Sequence, residues 1–173
     1  MIESVDKVKL FYNQGLHFLQ CAERCMGEMD ENGDVLIIGG KNQILITPTI
    51  VNAAFSCELF LKSILLLHGI NYRKYLKHGK GHNLKNLYDL LPCKYYKTFL
   101  ERGIKNFEYD LSIHANDFER WRYYMERDDY SESDVRFIVV LMQNLKTLSH
   151  RIIDNWEQNK CCDQCLNQVR QDM

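Results

Sequence analysis

One pair of charged residues stands inside the most apolar stretch of the sequence. Glu58 and Lys62 are four positions apart in the segment from Pro48 to His68, where most other residues are apolar or small. In a helix this spacing puts both side chains on one face. An exposed pair of this kind stabilises a helix by roughly 0.3–0.5 kcal/mol, whereas a buried pair must recover a large cost of desolvation through further partners. The pair is therefore either a packed ion pair between helices or subunits, or part of a functional site.

A basic connector follows this segment and runs from Tyr72 to His82. Its glycines predict turns rather than a continuous helix. The connector combines cations with aromatic rings: Tyr72, Arg73, Lys74, Tyr75, Lys77 and Lys80. This combination is typical of surfaces that bind phosphate groups and bases, although a solvated loop has the same composition. His82 ends the connector, where it could be a general acid or base, or could hydrogen-bond a carbonyl at the entry to the next helix.

The densest group of polar and aromatic residues lies at positions 114–124. His114 is a second candidate for proton transfer, and Asn116 or Asp117 can cap the helical turn that follows. The helical period puts three rings on the packed side: Phe118, Trp121 and Tyr124.

The same period leaves Arg122 and Tyr123 free for polar interactions. The planar guanidinium of Arg122 can clamp a phosphate through paired hydrogen bonds, or it can hold Glu58 in the core. Tyr123 and Asn116 join Arg122 as candidate ligand-binding residues.

The sequence predicts neither a metal nor a cofactor. Cys162 and Cys165 form one CxxC, but a zinc site needs four ligands and no second pair follows. There is no phosphate loop, no GxGxxG after a strand, no HExxH and no nucleophile elbow. The seven cysteines are odd in number and scattered, so we expect reduced thiols and no disulfide framework.

Three long helices are predicted to position these residues. Apolar residues recur every three or four positions from Ser4 to about Met29, and again in a last helix that Ser131 or Ser133 can cap. Between these two, the apolar segment has Thr47 as a hydroxyl N-cap, Pro48 at the first helical position and Gly69 as its stop.

Shorter elements fill the remainder of the chain. Residues 35–46 predict a short hairpin or a loop. Asn83 can cap a short helix through Leu91, and Pro92 can open another through Leu100. A helix with a bend at 115–116 follows. The fold class is therefore all-α.

Length and composition favour one domain at residues 1–159, followed by a polar, cysteine-bearing tail at 160–173. The chain has 173 residues, 46% of them hydrophobic, which is enough to fill one core. A net charge of −1 argues against general coating of nucleic acid but allows a local basic groove. Without a secretory leader or a clear membrane span, we expect a cytoplasmic protein with no membrane partner.

Three stretches together resemble the HEPN domains, the helical proteins of prokaryotic toxin–antitoxin and phage-defence systems. They are Val-Asn-Ala-Ala-Phe-Ser-Cys-Glu-Leu-Phe-Leu-Lys at 51–62, Gly-His-Asn-Leu at 81–84 with Leu87, and Phe-Glu-Arg-Trp-Arg-Tyr at 118–123. The resemblance covers about Val51 to Glu126. It implies an up-and-down bundle of four or five helices that is commonly a homodimer and that binds or cleaves RNA or nucleotides, with an antitoxin as a further partner.

Many HEPN proteins are metal-independent ribonucleases that use an arginine followed, four to six residues later, by a histidine. In this sequence the spacing occurs only from Arg73 to His78, in the connector rather than on a late helix. The leading hypothesis is therefore an RNA- or nucleotide-binding protein with Glu58, Lys62, His82, Arg122 and Tyr123 as its polar cluster. The alternatives are an active ribonuclease that uses His82 or His114 with Arg122, and a structural dimerisation module with a buried polar network.

Overall fold

The structure, a computed structural model, describes residues 5–27, 45–76, 80–122 and 135–157, and all regular structure in these ranges is helical. The helices are α1 (Val5–Met26), α2 (Ile46–Leu67), α3 (Tyr72–Tyr75), α4 (Leu84–Asp89), α5 (Lys94–Leu100), α6 (Phe107–His114), α7 (Asp117–Arg122) and α8 (Val135–Glu157), with a 3₁₀ turn at Lys80–His82. The predicted all-α class is confirmed.

Helices α1 and α2 form an antiparallel pair that is closely packed at its middle. The backbone N–H of Leu45 donates to the Cys25 carbonyl at 3.0 Å, which joins the end of α1 to the start of α2. Midway along the pair, the Ser56 hydroxyl donates to the Gly15 carbonyl at 2.8 Å. A Cβ at Gly15 would lie 2.8 Å from the Phe60 ring, so the absence of a side chain lets the two helices approach.

Helix α8 completes the long framework and runs antiparallel to α1. Tyr12 contacts His150, and Glu23, eleven residues later on α1, accepts from Gln143 at 3.0 Å. Helix α5 is also antiparallel to α8, because Asn144 bonds the Leu100 carbonyl while Arg151 bonds Tyr95. The chain therefore follows the order of an up-and-down bundle in which short helices take the place of the third long one.

Helix α2 is the centre of the core. Almost every side chain from Ala53 to Leu67 is buried, and apolar residues of α1, α4, α5, α6 and α8 pack around it in one cluster. By length and composition α2 could cross a membrane, with a mean hydropathy of 1.7, but 83% of its most apolar stretch is buried within the protein. Its uniform apolarity thus matches a helix that is surrounded by other helices.

The predicted start of α2 is wrong by two residues. The helix begins at Ile46 with Leu45 as its N-cap, and no side chain caps it, so Thr47 does not act as the cap. The hydrogen bond from Leu45 to α1 fixes the start of the helix two residues earlier than the cap chemistry suggests. Pro48 is tolerated because the first turn of a helix leaves its N–H groups unbonded.

The other helix ends follow their sequence signals more closely. Gly69, with φ of +70°, ends α2, and the N–H groups of Gly69 and Ile70 close back on the carbonyls of Leu66 and Leu65. The Asn83 side chain accepts from the Asn86 N–H and caps α4 as predicted. Helix α5 begins at Lys94, two residues after Pro92, with Cys93 at the N-cap.

Several predictions lie outside the described residues. These are the hairpin or loop over positions 35–44, the caps Ser131 and Ser133, and the CxxC of the 160–173 tail. Of the described cysteines, Cys57 and Cys93 are buried, Cys21 is exposed and Cys25 is half-buried, and none of the four forms a disulfide with another described residue.

A half-buried histidine follows the C-terminal end of α2. His68 Nε2 lies 2.9 Å from the Tyr96 hydroxyl, and its buried Nδ1 has no hydrogen-bond partner among the described residues. Because burial disfavours the charged ring, it lowers the pKa of His68 from 6.5 to about 4.

We expect this histidine to make folding sensitive to mild acid. Between pH 6.5 and 4 the unfolded chain binds a proton at His68 and the folded chain does not, so stability falls as the pH falls through this window. The full loss is of order 3 kcal/mol. Urea unfolding of the wild type and of His68→Gln, carried out from pH 7 to 4, gives the free energy of unfolding at each pH. The loss due to His68 is the difference between the two proteins in the slope of this free energy against pH. His17→Gln, on the exposed face of α1, is the control and should keep the wild-type slope; an equal slope in His68→Gln would contradict the assignment.

Candidate functional site

The Glu58 cluster consists of Glu58, Lys62 and His82. Glu58 Oε1 accepts from Lys62 Nζ at 2.5 Å and lies 3.1 Å from His82 Nδ1. Helix geometry places Lys62 one turn after Glu58, and the 3₁₀ turn brings His82 to the same oxygen from 24 residues away. The predicted convergence of these three side chains is therefore present in the structure.

The three members of the cluster differ sharply in exposure. The side chains of Glu58 and Lys62 are 1% and 9% exposed, whereas that of His82 is 47% exposed. The prediction that the ion pair lies off the wet face of α2 is confirmed. Because Nδ1 of His82 points to the carboxylate, Nε2 is the nitrogen left for solvent or a ligand, and the carbonyl contact considered for His82 is replaced by a carboxylate contact.

Lys62 and Glu58 each have two described partners, one of which is the other member of the pair. The Lys62 ammonium lies 5.2 Å from the centre of the Tyr72 ring, which is buried at the start of α3 and adds a cation–π contact. Glu58 Oε2 is buried and has no hydrogen-bond partner within the part of the chain that the structure describes. The carboxylate thus keeps one unused acceptor directly beside the exposed imidazole.

An aromatic stack, the Phe118 stack, connects α2 and α7 with the cluster. The rings of Phe55 and Phe118 stack at 4.6 Å, and the His82 ring packs on Phe118 with its centre 6.3 Å away. The Arg122 guanidinium lies 5.8 Å from the centre of the same Phe118 ring. Phe118 therefore carries a half-exposed imidazole and an exposed guanidinium together.

The position of Arg122 bears on one of the two roles considered for it, that of holding Glu58 in the core. Glu58 Oε1 meets Lys62 and His82, while Arg122 packs over Phe118 at the end of α7. The sequence hypothesis that Arg122 holds Glu58 in the core does not describe this arrangement. The guanidinium instead lies over the Phe118 ring, on which His82 also packs.

His114 is placed away from this exposed group. Its side chain is 3% exposed, its Nδ1 bonds the Asp117 carboxylate, and its ring stacks on Phe137 at 4.9 Å. Among the described residues, the buried Asp117 Oδ1 has no hydrogen-bond partner.

The Cys57 thiol lies in the core near Asp117. Burial, together with the nearby Asp117 charge, raises the pKa of this thiol well above its usual range, so the cysteine is an inert core residue.

The corner between α6 and α7 ties His82 to Arg122. The Leu84 N–H donates to the Ala115 carbonyl at 2.8 Å, and the Asn83 side-chain amide donates to Asn116 Oδ1 at 2.8 Å. Asn116, predicted as a cap or a ligand-binding residue, thus joins the segment that follows His82 to the start of α7. The corner fixes both halves of the candidate site.

The basic connector lies next to the cluster through Tyr72. Arg73 and Lys74 are exposed on α3, and the Asn71 side chain caps this short helix by accepting from the Lys74 N–H. Lys77, His78 and Tyr123 are outside the described residues. Among the described residues no group of three or more histidine, cysteine or acidic side chains could hold a metal ion.

The arrangement supports proton transfer and anion binding. A carboxylate that holds one nitrogen of an imidazole orients the other nitrogen toward a reacting hydroxyl, as in many general-base sites. A neighbouring guanidinium can neutralise a phosphate through paired hydrogen bonds.

In comparisons with protein-family models, with curated protein sequences and with solved structures, nothing matches this chain.

Proposed function

We propose that this chain is a HEPN-like protein that binds RNA or nucleotides in a prokaryotic toxin–antitoxin or phage-defence system. The supporting observation is the pairing of His82, which a buried Glu58 orients, with Arg122 on one Phe118 ring. An aromatic platform flanked by a cation and a hydrogen-bonding imidazole suits a nucleotide, which presents a phosphate and a base together.

The basic connector extends this surface. Arg73 and Lys74 are exposed close to Tyr72, which contacts Lys62, and Lys77 follows in sequence. Such cations attract the phosphate backbone with little regard to sequence. The protein we propose is cytoplasmic and acts as a homodimer, with an antitoxin as a possible further partner.

Fluorescence polarisation with labelled oligouridine and labelled ATP tests the binding function. We expect the affinity to fall as salt rises and to drop roughly tenfold in Arg122→Ala, because a charge-assisted phosphate contact is lost. Replacing Arg73, Lys74 and Lys77 together by alanine should weaken RNA binding further.

The matched control is Arg24→Ala, which removes one exposed arginine from the last turn of α1. It should leave both affinities near the wild-type values. Unchanged binding in Arg122→Ala would remove the Phe118 stack from the ligand site. Absence of binding to either probe at low salt would overturn the function itself.

A second candidate function, a metal-independent endoribonuclease, is favoured by the same contact between Glu58 and His82. The Glu58–His82 contact leaves His82 Nε2 as a base. In this mechanism Nε2 takes the proton of a ribose 2′-hydroxyl, the 2′-oxygen attacks the phosphorus, and the bond to the 5′-oxygen breaks as that oxygen gains a proton from solvent. Arg122 stabilises the added negative charge on the phosphorane.

A further inference from the structure

Two arginines converge on one phenylalanine at a different place in the fold. The guanidiniums of Arg102 and Arg151 lie 4.7 and 5.4 Å from the centre of the Phe99 ring. Phe99 is buried, whereas both arginines and Tyr95 are exposed. We call Tyr95, Phe99, Arg102 and Arg151 the Phe99 surface; it lies between α5 and α8.

Hydrogen bonds hold this surface in place. Arg151 Nη1 donates to the Tyr95 hydroxyl at 3.2 Å. The Asn144 amide donates to the carbonyls of Leu100 and Arg102 at 3.0 and 2.9 Å, which fixes the turn that follows α5 against α8. Arg151 is therefore held by the Tyr95 hydroxyl and the Phe99 ring. For Arg102, the hydrogen bonds hold the backbone, and its guanidinium lies over the same ring.

Among the described residues, neither of the two positive charges has a carboxylate as a counter-ion. Within residues 5–27, 45–76, 80–122 and 135–157, no acidic side chain forms an ion pair with Arg102 or Arg151. The acidic residues next to them in sequence have other partners, since Glu101 accepts from the Tyr88 hydroxyl at 2.9 Å and Asp154 pairs with His150. Two like charges held together without a counter-ion attract an anion.

We propose that the Phe99 surface is a second contact site for single-stranded RNA. Arg102 and Arg151 bind successive phosphates, and Tyr95, 48% exposed, stacks on a base. The exposed ring beside the cations favours a nucleic acid over an anionic membrane, which would not need a stacking partner. This inference rests on the proposed function and adds a site to it, on helices other than those of the Glu58 cluster.

Binding of labelled oligouridine and labelled AMP tests the proposal. AMP is small enough to occupy the Glu58 cluster alone, whereas a 20-nucleotide RNA also reaches the Phe99 surface. We expect Arg102→Gln and Arg151→Gln each to weaken RNA binding about tenfold and to lower the salt slope by about one, with AMP binding unchanged. Arg24→Gln is the charge-matched control and should do neither. Oligouridine that carries 4-thiouridine should crosslink to Tyr95 on irradiation.

Each contrary result has a separate meaning. If Arg102→Gln and Arg151→Gln bind RNA like Arg24→Gln, the Phe99 surface is not an RNA site and the proposed function stands. The same holds if AMP binds but RNA gains no affinity over it. If the wild type binds neither probe, the proposed function fails together with this site. Binding of phosphatidylserine vesicles that is lost in the same variants, with RNA binding intact, would assign the surface to a membrane and overturn the proposal.

Discussion

Replacement of Glu58 by alanine is expected to lower the free energy of unfolding by about 3–5 kcal/mol. The substitution leaves the Lys62 ammonium buried, and of its two described contacts only that with the Tyr72 ring remains. Lys62→Ala should have a similar effect, since the buried carboxylate then keeps only the His82 imidazole as a partner among the described residues. The double variant should recover much of either loss, because no unpaired charge is then buried. Urea unfolding at pH 7 of the four proteins measures these values.

The chain contains a matched control for this cycle. Lys85 and Asp89 form an i,i+4 pair at the same 2.5 Å, but their side chains are 30% and 49% exposed. Asp89→Ala should cost only about 0.3–0.5 kcal/mol, since solvent replaces the lost partner. Losses that add in the Glu58 and Lys62 double variant would show that the two charges do not depend on each other, contrary to the geometry.

His82→Ala is expected to reduce RNA cleavage by about 10²–10⁴-fold if the protein is an endoribonuclease. The loss follows from removal of the base, while the Glu58–Lys62 pair that supports the core remains. The measurement is cleavage of a fluorescent RNA, without added metal, together with the melting temperature of each variant. Arg122→Ala should also lower the rate, by weaker stabilisation of the phosphorane.

The control for this prediction is His17→Ala, which removes an exposed histidine on α1. It should cleave at the wild-type rate. A ribonuclease whose rate is unchanged in His82→Ala would place the chemistry elsewhere. Intact RNA across a range of pH, with binding retained, would leave the protein as a binder and remove the endoribonuclease candidate.

Local chemistry made the helices predictable. Apolar periodicity located α1, α2 and α8, and the side chain of Asn83 and the positive φ of Gly69 mark helix ends as their types predict. The start of α2 was not predictable, because Leu45 is fixed by a hydrogen bond to Cys25 on another helix rather than by its own side chain. A tertiary contact, rather than the local preference for a hydroxyl residue at the N-cap, therefore sets the start of α2.

The candidate site was likewise predictable from the sequence only where its contacts are local. Glu58 and Lys62 are four residues apart, so their contact follows from helix geometry, and their apolar neighbours indicated burial. His82 and Glu58 are 24 residues apart, so no local rule predicts their contact. From the sequence it could only be proposed that the two side chains lie close together.

Two contacts in or near the candidate site were not predicted from the sequence. The contact between His114 and Asp117 was missed, although their spacing of three residues permits it in helical geometry. No sequence signal revealed that Phe118 stacks on Phe55, because the two rings belong to helices far apart in the chain.

We propose that His82 and Arg122 face a phosphate-bearing ligand from one aromatic platform. NMR of the ¹³C,¹⁵N-labelled protein during titration with AMP tests this claim directly, because each side chain reports separately. We predict saturable shifts of the His82 ring signals and of the Arg122 Nε–Hε signal, while the ring of the exposed His17 stays unmoved. Saturable binding of AMP without any shift at His82 or Arg122, or shifts confined to other residues, would contradict the claim.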